Sequence, residues 1–218
     1  MATKGIFLSF EGGEACGKST QIRLLDDYLR REGRETLCLR EPGGTAVGEQ
    51  IRQTLQYSKD SSAMVPEAEL LLFAASRAQL VREAIRPALQ EGKVVLCDRF
   101  VDSTTVYQGV ARNLDRDSVA WINQFAIDGL LPDLTFLLDL DLEDARSRMA
   151  QRKKVRPVKD RMEEQEEGFY YAVRDGYLEL AEQEVQRIVL IDASAPVENV
   201  AFEIRLRVKE FLHGLTSN

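Results

Sequence analysis

Five short apolar runs punctuate the chain: GIFLSF (5–10), ETLCLR (35–40), KVVLCD (93–98), DLTFLLDL (133–140) and QRIVLID (186–192). Runs of this length, rich in Val, Ile, Leu and Phe, predict strands. Between them the apolar period lengthens. Ile22, Leu25, Tyr28 and Leu29 share one helical face, and Leu70, Phe73, Ala74, Arg77, Leu80 and Val81 share part of another. A last helix is predicted to begin near SAPVEN, with Pro196 and Glu198 in its first turn, where proline and acid suit free N–H groups. Strands alternating with helices predict parallel pairing in an α/β layer fold. The near-continuous apolarity of the runs predicts strands covered on both faces. No internal repeat or flexible linker interrupts the pattern, so residues 1–218 read as a single domain.

One stretch breaks that pattern: RKKVRPVKDR (152–161), dense in lysine and arginine. On charge alone it reads as a solvated run. Composition (44% hydrophobic, 30% charged) is that of a folded globular chain, and no apolar run approaches the roughly 20 residues of a membrane helix. The N-terminal MATKGIFLSFEGG lacks the shape of a signal peptide, so a cytoplasmic location without membrane attachment is expected. Three cysteines without metal-like spacing read as reduced thiols. A net charge of −7 argues against coating nucleic acid. The single histidine, His213, lies near the C-terminus and reads as a surface helix residue, which argues against histidine catalysis.

The candidate chemistry begins at FEGGEACGKST (10–20). Gly12, Gly13, Glu14, Ala15, Cys16, Gly17, Lys18, Ser19 and Thr20 fit G-x-x-x-x-G-K-[ST] between an apolar strand and a helical segment. Backbone N–H groups can wrap a phosphate only where side chains do not intrude, lysine reaches the outer phosphates, and the hydroxyl can ligate magnesium. A nucleoside triphosphate with Mg²⁺ is the implied ligand. Cys16 reads either as a thiol activated by the loop's positive potential or as a packed, inert one. The strand KVVLCD ends in Asp98, in the form of an acidic partner for magnesium or its waters, and Arg99 follows where a phosphate could sit. In REPGGT (40–45), Pro42-Gly43 reads equally as a plain turn and as a substrate loop. A phosphate loop alone does not separate a kinase from a nucleotide-dependent switch.

FEGGEACGKST, REPGGT, FAASRAQL, DRFVDSTTVYQG, DRMEEQ and IDASAPVENV occur in the order found in bacterial thymidylate kinases, and over about residues 5 to 205 the chain resembles that family. The resemblance implies a P-loop nucleoside monophosphate kinase fold, a five-stranded parallel sheet flanked by helices. It implies the reaction ATP + dTMP to ADP + dTDP with Mg²⁺, a step of dTTP synthesis, and a homodimer formed by helix packing.

It also implies roles. Lys18 would neutralise the donor phosphates, and Ser19 and Asp98 would hold magnesium, Asp98 also orienting Arg99. Arg99 would fork onto the acceptor phosphate. Phe73 and Arg77, four apart on one helix, would stack on thymine and bond its O4; periodicity alone makes Phe73 a core residue. Ser103 and Thr104 would meet the base edge, Thr104 at N3, although Ser103 also reads as a helix cap. Tyr107 would crowd the 2′ position, and Gln108 would lie near the base. Glu14 would accept the 3′-hydroxyl, whereas Glu11 acquires no role. Ala15 stands where some members carry arginine, which matches the kind with its arginine in the lid. The basic run then becomes that lid, about 151–162, with Arg156 as an arginine finger, Lys153 as the next choice and Arg161 at the exit. Arg148 would stack on adenine, the donor base being read otherwise by backbone near Ala193 to Val197.

Overall fold

The computed structural model describes residues 5–58, 63–155, 161 and 165–216. Five strands, β1 (Ile6–Glu11), β2 (Thr36–Arg40), β3 (Val94–Asp98), β4 (Leu134–Asp139) and β5 (Ile188–Asp192), form one sheet in the order β2-β3-β1-β4-β5, every pairing parallel. All five apolar runs are strands, with ends displaced by a residue or so. β1 is buried along its whole length and β3 and β4 nearly so, but the edge strands β2 and β5 leave Cys38, Arg40, Leu190 and Asp192 exposed. The expectation of strands covered on both faces thus holds for the centre and fails at the edges, where each strand has one neighbour.

Parity along β1 organises the interior. Ile6, Leu8 and Phe10 face α1 (Lys18–Arg31) and α9 (Val197–Thr216), packing with Ile22, Leu25, Leu29, Ile204 and Val208. The last helix begins one residue after Pro196, whose carbonyl accepts from the Asn199 and Val200 N–H groups. Phe7, Ser9 and Glu11 point the other way. On that side lie α3 (Pro66–Leu80), a π-helical segment Val81–Ile85, and α4 (Arg86–Gln90). α5 (Val101–Thr104), a second π-helical segment Thr105–Ala111, and α8 (Glu167–Gln183) complete that layer. Phe7 packs with Leu80, Val95 and Phe100, whereas Ser9 and Glu11 enter a polar seam. Ser9 bonds Thr135 (2.7 Å), and Asp102 is held by both Arg187 terminal nitrogens (2.7 and 2.8 Å). α2 (Ala46–Tyr57), α6 (Arg116–Ile127) and α7 (Leu142–Val155) complete the described helices.

Candidate active site

The loop from Gly12 to Gly17 joins β1 to α1 with left-handed backbone at Gly12 (φ 130°), Ala15 (57°) and Gly17 (100°). Gly12 is sterically required, since a Cβ there would lie 2.4 Å from the Leu138 carbonyl oxygen. α1 starts without a side-chain cap and without an acid in its first turn, which leaves its N–H groups for an anion. Lys18 folds over the loop, Nζ donating to the carbonyls of Gly13 (2.7 Å) and Gly12 (3.2 Å). The Cys16 thiol is buried, donates to Gly13 O (3.1 Å) and lies 3.4 Å from Lys18 Nζ, so it is packed and also beside the loop's cation.

Beside this loop opens a cleft of about 610 Å³ along the carboxyl ends of β1, β2 and β3, where ligands of open α/β sheets bind. Glu14, Ala15 and Gly17 to Thr20 line it from the phosphate loop, Arg40 to Pro42 from the end of β2, and Asp98 and Arg99 from the end of β3. Phe73, Arg77, Ser103, Thr104, Tyr107, Gln108 and Arg148 line it as well. Every described site residue from the sequence reading therefore borders the cleft except Gly12, Gly13 and Cys16, which shape the loop behind it. Arg156 lies outside the described residues, as does the side chain of Lys153.

Ser19 Oγ donates to Asp98 Oδ2 at 2.7 Å, which places a hydroxyl and a carboxylate side by side. Hard oxygen donors few in number suit Mg²⁺, which keeps waters and takes phosphate oxygens rather than a full protein cage.

Arg99 has left-handed backbone (φ 69°), and its guanidinium returns to the phosphate loop. Nη2 donates to Glu14 (2.6 Å), and Nη1 donates to Gly12 O (2.9 Å), Ser103 Oγ (3.3 Å) and Tyr177 OH (3.3 Å). The guanidinium also bonds the Tyr107 hydroxyl, and it borders the cleft. Burial works against its charge, but Tyr107, Glu14, Tyr177 and Glu11 more than offset this and keep it firmly protonated. The expectation that Asp98 orients Arg99 is corrected here: Asp98 faces Ser19, and Glu14, Gly12, Ser103 and Tyr177 hold the guanidinium. Glu14 is accordingly an arginine partner in this state.

Arg77 is fully buried yet borders the cleft. Glu41 takes Nε (3.0 Å) and one Nη2 hydrogen, Thr104 Oγ1 takes the other Nη2 hydrogen (2.7 Å), and Asn123 takes one from Nη1 (2.8 Å). Of five N–H donors one, on Nη1, is left over. Burial pushes the Glu41 carboxyl up, against the pull of Arg77. Phe73, which periodicity assigned to the core, is only half-buried, because its ring stands at the wall of the cleft. Gln108 donates to the buried Glu69 (2.7 Å), which also receives Arg112 and Arg161. Arg161, expected at the lid exit, thus pairs with α3. Tyr107 is buried with Arg99 over its ring at 5.1 Å, and Arg148 Nη2 donates to Ala193 O (3.0 Å).

Glu11 is buried, and burial together with nearby Asp102 raises its carboxyl to about 7, against Arg99, Ser103 and Tyr177. Glu11, Glu41, Asn123 and Tyr177 escaped the sequence reading. Parity held a clue for Glu11, which shares its strand face with Ser9. Asn123 and Tyr177 come from distant helices and left no local signal.

A family profile described as thymidylate kinase matches residues 10–204. The chain belongs to the thymidylate kinase family. The thymidylate kinase of Caldanaerobacter subterraneus subsp. tengcongensis is 44% identical over 211 residues, covering 97% of this chain and 98% of that one. The thymidylate kinase of Trichlorobacter lovleyi is 46% identical over 201 residues, covering 91% and 94%. The crystal structure of thymidylate kinase from Ehrlichia chaffeensis superposes with a TM-score of 0.75 at 30% identity, covering 94% and 98%. Membership supports phosphorylation of dTMP by a P-loop kinase fold using ATP. No helix among the described residues is long and apolar enough to cross a membrane.

Proposed function

We propose that this chain transfers the γ-phosphoryl group of ATP to dTMP, giving dTDP and ADP, with Mg²⁺, as one kinase domain with its lid at about 151–162. The observation that carries the reading is the cleft itself, which joins a phosphate loop to a buried base-recognition edge with Arg99 bonded to the loop. The acceptor is already a phosphate oxygen, so positioning and charge neutralisation suffice and no strong base is needed. Lys18 leaves its loop carbonyls for the donor phosphates. Magnesium, held by Ser19 and Asp98, neutralises phosphate charge when bound. Arg99 takes the acceptor phosphate on the side of its guanidinium that borders the cleft.

The thymine edge follows from the hydrogen-bond inventory. The spare Arg77 N–H suits O4, an acceptor. Thr104 Oγ1 accepts from Arg77 and has a second lone pair for N3–H. Cytosine presents a donor at the first position and an acceptor at the second. Phe73 covers the ring face, Gln108 borders the base, Tyr107 closes the 2′ side, and Glu14 turns from Arg99 to the 3′-hydroxyl. Arg148 and backbone near Ala193 receive adenine, and Arg156, outside the described residues, supplies the cation that Ala15 cannot.

The chain acts in the cytoplasm as a homodimer. Support for the dimer comes from α6, where Trp121 and Phe125 are 70% and 69% exposed and stack at 5.9 Å with 12° between rings. Trp121→Glu is expected to yield monomers in sedimentation, and an unchanged dimer would move the interface elsewhere. The test of the activity is dTDP formation from ATP-Mg²⁺ with dTMP, dUMP, CMP, AMP and thymidine. dTMP should lead, and dUMP should trail by about 1–3 kcal/mol, one methyl in an apolar pocket. The other three should be far poorer. Equal use of dUMP would show the pocket misread, and slow ATP hydrolysis indifferent to dTMP would favour a switch.

A further inference from the structure

Glu11 ends β1 on the face that carries Ser9, and its carboxylate takes four donors. Oε1 accepts the N–H of Phe100 (2.7 Å) and of Ser103 (3.3 Å); Oε2 accepts Ser103 Oγ (2.6 Å) and Tyr177 OH (2.7 Å). Ser103 Oγ and Tyr177 OH are also 2.9 Å apart. These same two hydroxyls accept from Arg99 Nη1. Phe100 N–H, the next peptide group after the left-handed Arg99, is fixed as well. One buried carboxylate therefore grips the turn that carries Arg99 and the two hydroxyls that, with Gly12 O, seat its guanidinium.

We propose that Glu11 is a positioning residue for the acceptor phosphate, acting through Ser103 and Tyr177 to aim Arg99 without touching substrate. The proposal rests on the reading of Arg99 as the acceptor-phosphate arginine. Left-handed backbone is costly for a non-glycine residue and persists only where surrounding bonds over-determine it. Ser103 and Tyr177 hydroxyls can rotate, and the carboxylate, as an acceptor only, forces both hydrogens toward itself and turns their lone pairs to Arg99. Protonating Glu11 places a donor in that ring and removes this direction. The charged and titratable groups facing Glu11 are Asp102 from α5, Arg99 from the turn, Tyr177 from α8, Cys97 from β3, and Arg187 from the segment before β5. Tyr177 and Cys97 are both pushed well up, by burial first and by Glu11 among the charges, so both stay neutral beside it. Because burial raises Glu11 to about 7, its ionisation falls in the working pH range.

Glu11→Gln keeps size and one acceptor but brings an NH₂ group to the hydroxyls. The expected result is a rise of about tenfold or more in KM for dTMP, with KM for ATP within about twofold. The acid limb of kcat/KM for dTMP should also move from near 7 toward the phosphate's own ionisation near 6. A merely structural role would raise both KM values, or lower kcat for both substrates alike, and leave the limb in place, and that result overturns the proposal. Tyr177→Phe, which removes one hydroxyl, is the second variant should the first not fold. It should raise KM for dTMP severalfold, and combined with Glu11→Gln should add nothing further; full additivity overturns the linkage. Arg99→Ala separates the two readings. If it leaves dTMP binding intact, the Arg99 assignment fails. If it abolishes dTMP binding while Glu11→Gln changes nothing, the Glu11 proposal fails alone.

Discussion

The acceptor and donor halves of the cleft are built in opposite ways. On the proposed acceptor side Arg77, Arg99, Glu41 and Glu11 are held in place in advance, and Glu14 alone has to turn. Arg77 keeps one N–H for a ligand, Arg99 is held by the phosphate loop, Ser103, Tyr107 and Tyr177, and behind them Glu41 accepts two bonds and Glu11 four. On the donor side Lys18 rests on loop carbonyls that it must leave, Thr20 is exposed, and the α1 N–H groups await an anion. Preorganisation lowers the cost of binding and raises selectivity among close relatives. On the proposed reading, the difference assigns base selection to the rigid half and phosphoryl transfer to the adjustable one.

The largest blow to this arrangement should come from Glu41→Ala. It leaves Arg77 buried and without its carboxylate, and breaking such a pair costs about 3–5 kcal/mol. Urea unfolding measures it, and a loss under about 1 kcal/mol would mean the acceptor half is not braced by this pair. Lys18→Ala should act on the other half, lowering kcat at least about 10²-fold while dTMP binding stays within about twofold. Equal loss of both would show the two halves to be one unit. Arg156→Ala should cut turnover by at least about tenfold with little change for dTMP, and Ala15→Arg in that background should restore part of it. A uniform KM rise with normal turnover would leave the lid bases as mere attractors of ATP.

A further effect concerns Glu11 and stability. Its folded-state value, about 7, lies above the model-compound 4.5, so the native state holds the proton longer. That contribution is fully present below about 4.5 and is lost as pH rises through about 7, at up to about 1.4 kcal/mol per pH unit. Glu11→Gln should flatten stability against pH across that window. An unchanged slope would place the buried charge elsewhere.

Much of this was readable from the chain. Strand apolarity placed all five strands because a covered parallel sheet leaves no other solution for such runs. Gly12 and Gly17 were legible because the loop tolerates no Cβ at the first and needs left-handed backbone at the second. Phe73 was misassigned by periodicity, since a helix facing both core and cleft shows the same spacing on either. Glu41, Tyr177 and Asn123 were silent for another reason. Each acts by meeting an arginine 36 to 78 residues away, and local pattern carries no record of such encounters.

The most direct test of the central contrast is calorimetric titration of dTMP into the protein, alone and with a non-hydrolysable ATP analogue and Mg²⁺. A prebuilt acceptor half binds dTMP without the analogue, with Kd changing by less than about threefold when it is added. Binding that needs the analogue, or tightens more than about tenfold with it, would mean that the donor side assembles the acceptor site, and would contradict the account.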